Sequence, residues 1–159
     1  MKIFVFSSGT MTNIWAGVGA QLWAVRRSAT ESANKGMATK ARKMPVGALG
    51  LLYCSPEKRF TCPFVVNSPA DKDRVVLNVW PEPCILPFAI RTLGDPHASL
   101  SWGDAGKLLP SCEAGTPINK LLHVEPGTVF TGDEITESDW SVIVERLAYK
   151  PNLPTDLPA

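Results

Sequence analysis

Trp15 and Trp23 stand just before the most basic stretch of this 159-residue chain, and Trp80 closes its basic half. Within that stretch lie Arg26, Arg27, Lys35, Lys40, Arg42 and Lys43, opposed only by Glu31, a net of +5. Indole rings stack on bases and nearby cations neutralise phosphate, so the combination suits a polyanion whose bases are accessible. Stacking is worth about 1–3 kcal/mol per base, while phosphate contacts add affinity without sequence information. A solvated loop is the plainer reading of the same cations. The charge is also divided along the chain. Residues 1–80 carry 11 Lys and Arg against 4 Asp and Glu, and residues 81–159 carry 5 against 11. A formal net charge of +1 therefore conceals a strong dipole.

Other chemistries find little support. Cys54, Cys62, Cys84 and Cys112 form no C-x-x-C pair, and His97 and His123 are far apart, which argues against a zinc site. The sequence contains no G-x-S-x-G, P-loop or H-E-x-x-H motif. We expect no catalytic residue, metal or cofactor. Glu82 is the carboxylate nearest an aromatic candidate; it can accept from an exocyclic amine such as that of cytosine, or simply cap a turn. Trp102 follows Ser99 and Ser101 in sequence and reads as a further aromatic wall or a surface ring. Trp15 and Trp140 fall on apolar helical stripes and read as core, and the residues around Trp23 favour core over a stacking ring.

These residues need a scaffold. Lys2–Phe6 reads as a strand and Thr12–Gln21 as a short helix capped by Thr10 or Thr12. Leu22–Val25 returns to strand. Arg26–Met44 shows almost no apolar periodicity and reads as a long loop. Val46–Cys54 and Arg59–Val66 form a hairpin, with Pro63 placing the second strand at an edge or a bulge. Arg74–Trp80 and Ile85–Leu93 are further strands, Ser101–Leu109 a short helix, Ser111–Pro126 irregular, and Gly127–Gly132 a small strand. Thr136-x-x-Asp139 opens a last helix whose Trp140, Ile143, Val144 and Leu147 make one apolar stripe. The chain reads as one domain over 1–150 with a frayed tail over 151–159 and a single hydrophobic core. No apolar run approaches the ~20 residues of a membrane span, and nothing reads as a signal peptide, so a cytoplasmic location is expected. Strands arriving as hairpins argue for an α+β fold: a small curved barrel of five to six strands, mainly antiparallel or mixed, with peripheral helices.

This order of elements, with Gln21-Leu22-Trp23-Ala24-Val25, the basic segment, Leu51-Leu52-Tyr53, and Val79-Trp80-Pro81-Glu82-Pro83 leading into Pro87-Phe88-Ala89-Ile90, resembles the PUA-like superfamily and its EVE and YTH-like branch. The resemblance covers about Lys2–Pro110 and lies in pattern rather than in one motif. It implies a reader of modified nucleobases that flips the base into an aromatic cage beside a basic surface. By position it implies Trp23 and Trp80 as cage walls and Ser7, Ser8, Thr12 and Asn13 as contacts to the base edge. It further implies the specificity module of a modification-dependent restriction or defence system, with DNA placed ahead of RNA and a nuclease as partner. The chain departs from the YTH pattern in its long Arg26–Lys43 segment and its Trp-Pro-Glu-Pro corner. Two other classes remain open: an enzyme acting on nucleotides or nucleic acid, and a protein-interaction module whose acidic half docks a basic partner.

Overall fold

The computed structural model describes residues 1–151. Its eight strands form one mixed sheet in the order β2-β6-β4-β3-β1-β8, with β5 paired to β6 and β7 to β4. In chain order these are β1 Lys2–Ser8, β2 Leu22–Arg26, β3 Leu49–Cys54, β4 Arg59–Val66, β5 Val75–Val76, β6 Cys84–Thr92, β7 Ser99–Ser101 and β8 Gly132–Glu134. The sheet curls into a half-barrel and is mostly antiparallel; β1 and β3 alone run parallel, Ile3 opposite Leu49. The expected α+β class, the curvature and the peripheral helices are all present. The strand count is higher than expected because short pieces pair at the margins.

The helices are α1 Met11–Ala20, α2 Glu31–Arg42, α3 Trp102–Leu108, α4 Pro110–Glu113, α5 Ile118–Leu121 and α6 Glu137–Leu147. Thr10 caps α1 by accepting from the Asn13 N–H at 3.1 Å. The capping box of α6 is complete: Thr136 Oγ1 accepts from the Asp139 N–H, and Asp139 accepts from the Thr136 N–H. The Asp139 carboxylate also accepts from the Ser111 N–H and hydroxyl at 2.8 and 2.6 Å, which ties α4 to α6. Burial opposes ionisation of this group, but the three hydrogen bonds it accepts from Ser111 and Thr136 outweigh it and hold the carboxyl below its ordinary value.

Several elements differ from the sequence reading. Arg26–Met44 is no loop: it contains α2, which turns Asn34, Met37, Ala38 and Ala41 inward at helical spacing, Ala41 buried and the other three half-buried. One methionine and two alanines give too weak an apolar signal to be seen as a period. The strand read over Arg74–Trp80 is reduced to Val75–Val76, since Leu77 is 71% exposed and the chain then leaves the sheet. The small strand lies at Gly132–Glu134 rather than within 127–132, paired with Lys2–Phe4, and 111–126 carries two short helices. Pro63 marks a bulge, with Cys62 at φ +52 and the register slipping by one residue, while β4 itself is central, between β3 and β6.

Both faces of the sheet are buried, so two apolar clusters replace the single core. On the concave side Phe4, Phe6, Trp23, Phe64, Phe88 and Trp80 pack together. On the other side Ile3, Val5, Tyr53, Phe60 and Leu100 pack under α3, α5 and α6 through Leu109, Leu121 and Ile143. The alternation of Ile3 and Val5 with Phe4 and Phe6 in β1 serves the two layers at once. Gly94 permits the end of α6 to dock: a Cβ there would meet the Leu147 carbonyl oxygen. Of the tail read over 151–159, residues 152–159 lie outside the described residues. Among the described residues no helix is long and apolar enough to cross a membrane.

Candidate nucleic-acid interface

A cleft of about 720 Å³ opens beside the concave cluster, between the end of β1, the start of α1, β2, the 80–84 corner and α2. Trp23 and Trp80 meet in it edge to face, with ring centroids 5.6 Å apart and planes at 76°. Such a corner leaves no slot between the rings. A flat ligand would lie on one indole face with the other ring as its side wall. Both residues are largely buried, at 4% and 7% exposure, so Trp23 is core and cleft wall together.

Each ring is fixed by the local fold. Trp23 sits in β2 opposite Phe88, next to a register shift that separates it from Val25. Its six-membered ring lies on Gly17 of α1: a Cβ at Gly17 would be 2.8 Å from Trp23 Cε3. Trp80 lies beyond β5, and its Nε1–H donates to the Asn13 carbonyl at 2.9 Å. That bond satisfies a buried indole donor and ties the 80–84 corner to α1.

The polar candidates divide by whether they are already engaged. The Ser7 hydroxyl donates to the Val124 carbonyl. The Ser8 hydroxyl donates to the Thr10 carbonyl at 2.8 Å, and the Ser8 carbonyl accepts from Ser55. Both serines line the cleft, but the Ser7 hydroxyl is spent on the segment at Val124 and the Ser8 hydroxyl on the turn after β1. The Thr12 hydroxyl and the Asn13 carboxamide have no partner among the described residues and also line the cleft, so they are free to meet a base edge. Glu82 lines the lip and pairs with Arg26, Nε to Oε2 at 2.7 Å.

The remaining candidates are placed elsewhere. Trp102 lies on the other face of the sheet, stacked on Phe60 at 5.8 Å and near Tyr53 at 5.7 Å. It begins α3, whose docking closes that core, and so it is no third wall of this cleft. Arg27, Lys35, Lys40 and Arg42 are exposed along and before α2 but do not line the cleft. Lys35 and Arg42 share one flank of the helix, and Lys40 on the other reaches the Gly127 carbonyl at 3.4 Å. Lys43 borders a separate hollow with Met1, Lys2 and Val46. Trp15, expected in the core, is 41% exposed and touches His97 edge to face. The sequence reading misses Met37, Glu125, Pro126 and Val129, which line the cleft from α2 and the 125–129 segment. The inward-facing stripe on α2 is the one signal available for Met37.

Burial pushes every cysteine thiol up, Cys62 to about 12. No described group of three His, Cys, Asp or Glu side chains is placed to hold a metal ion.

No family model matches this sequence, and no curated protein matches it. Solved structures do. The YTH domain of Toxoplasma CPSF4 in its apo form superposes with a TM-score of 0.60 at 14% identity, over 93% of this chain and 88% of that one. The YTH domain of Zygosaccharomyces rouxii MRB1 protein, in complex with N6-methyladenosine RNA, gives 0.56 at 15% identity, over 89% and 84%. A structural-genomics protein of Agrobacterium tumefaciens gives 0.52 at 18% identity, over 97% and 99%. The fold is that of YTH domains, across nearly the whole length of both chains.

Proposed function

We propose that this protein is a non-enzymatic reader of nucleic acid carrying a modified base, which it holds flipped against Trp23 and Trp80. The observation that carries this reading is the convergence of the two indoles on one open cleft beside a basic helix. Two residues distant in sequence meet at 5.6 Å, with unengaged Thr12 and Asn13 side chains within the same walls. Flipping costs a few kcal/mol, which stacking of about 1–3 kcal/mol and hydrogen bonds to the base edge offset. The basic residues of α2 supply affinity common to all sequences. The resemblance in pattern and the likeness in fold both favour this class, and the MRB1 complex makes N6-methyladenosine in RNA the first ligand to test. Modified DNA is the second ligand to test, with this protein as the specificity module of a restriction or defence system acting with a nuclease.

The test is an array of single-stranded RNA and DNA oligonucleotides that differ in one modified base. The reading expects one modified base to bind at least about ten-fold tighter than its unmodified parent. Equal binding of every oligonucleotide would remove it.

A further inference from the structure

The lip of the cleft carries an ion pair whose two members have opposite uses. Arg26 ends β2 three residues after Trp23, and Glu82 follows Trp80 by two. Their contact, Arg26 Nε to Glu82 Oε2 at 2.7 Å, links the two segments that bear the indoles. It is a single contact between groups 73% and 57% exposed, so it is weak and easily exchanged. Both side chains keep unused capacity. A guanidinium has five N–H donors and a carboxylate about four acceptor sites; among the described residues one of each is spent on this pair.

We propose that Glu82 is the specificity-determining residue of the cleft, selecting bases that present an exocyclic amino donor over those that present oxygen there. This rests on the reader function above. A carboxylate can only accept. At the lip it welcomes an amino N–H of the adenine or cytosine type and repels the oxo group of uracil or thymine. Alone, it would also repel the phosphates of any strand that reached the indoles. Arg26 removes that penalty by neutralising Glu82 in the free protein and by turning its spare donors to a phosphate in the complex. Arg26 is thus a positioning residue for Glu82 and a backbone contact in its own right.

Oligonucleotide pairs that keep their methyl group and exchange the amino function for oxygen provide the test: 5-methylcytosine against thymine, and N6-methyladenine against 6-methoxypurine. Wild-type protein should prefer the amino member of at least one pair by about ten-fold or more, as a hydrogen bond to a charged acceptor provides. In Glu82→Gln, whose amide both donates and accepts, that ratio should fall to near one. Arg26→Ala should weaken all strands and flatten their salt dependence. An unchanged amino-to-oxo ratio in folded Glu82→Gln, or no such ratio in wild type, would overturn the inference and leave the reader function standing. Loss of any modified-base preference in wild type would instead overturn the reader function itself. Both residues are exposed, and thermal melting of each variant confirms that it is folded.

Discussion

The two faces of the sheet carry comparable aromatic clusters with opposite fates. On one, Tyr53, Phe60 and Trp102 lie 4.8–5.8 Å apart, closed over by α3 and its neighbours. On the other, Trp23 and Trp80 are in equal contact, yet the cover contributed by α2 and residues 125–129 stops short and a cleft remains. Ring chemistry therefore does not separate core from site. The difference lies in what is packed above the rings, and in the free polar groups of Thr12 and Asn13 that border only one of them.

The largest effect should come from breaking the closed face. Phe60→Ala removes a ring that is 1% exposed and should cost about 3–5 kcal/mol of stability, seen in thermal or denaturant unfolding. The ratio of affinities for modified and unmodified oligonucleotides should stay unchanged under conditions where the variant is folded.

Next is the hydrogen-bonded centre of that face. Asp139→Asn replaces an acceptor by a group that presents a donor to Ser111 or Thr136, at a cost of about 1–3 kcal/mol. Because the folded Asp139 carboxyl titrates below its ordinary value, its stabilisation is full above about pH 4 and is lost as pH falls through the lower folded value. Acidification below about pH 4 should therefore lower the melting temperature of wild type more than that of Asp139→Asn.

The open face should respond in binding before stability. Gly17→Ala forces a Cβ to 2.8 Å from the Trp23 ring. A deficit of about 1 kcal/mol in stacking would lower the modified-base preference roughly five-fold, measured by titration with the two oligonucleotides. The smallest effect on selectivity belongs to α2: Lys35→Ala, Lys40→Ala and Arg42→Ala together should weaken all strands alike. For every phosphate that the helix no longer neutralises, the slope of log K against log salt should shrink by about 0.7 on single strands.

The residues of both faces are unequally legible in the sequence. The cap and stripe of α6 are plain because Thr136, Asp139, Ile143 and Leu147 combine strong caps with large apolar side chains. The Tyr53–Phe60 pair follows from the hairpin and is seen in register. Helix α2 escapes because Ala38 and Ala41 carry little hydrophobic contrast, and with it goes Met37. Trp15 is misplaced because helical spacing says which residues share a face but not whether another element covers that face. Trp102 is misplaced for the converse reason: a ring at the start of a helix docks wherever that helix docks. Core and cleft wall are not alternatives for Trp23, since its six-membered ring packs on Gly17 while the residue still borders the cleft.

If the Trp23–Trp80 corner takes a modified base, Trp80→Ala must remove the preference for it. The measurement is the ratio of dissociation constants for one modified oligonucleotide and its unmodified parent, in wild type and in the variant, at a temperature where melting shows both folded. The ratio should be about ten or more in wild type and fall to near one in Trp80→Ala, with salt-dependent binding through α2 retained. A folded Trp80→Ala protein that keeps the wild-type ratio would contradict that role for the corner.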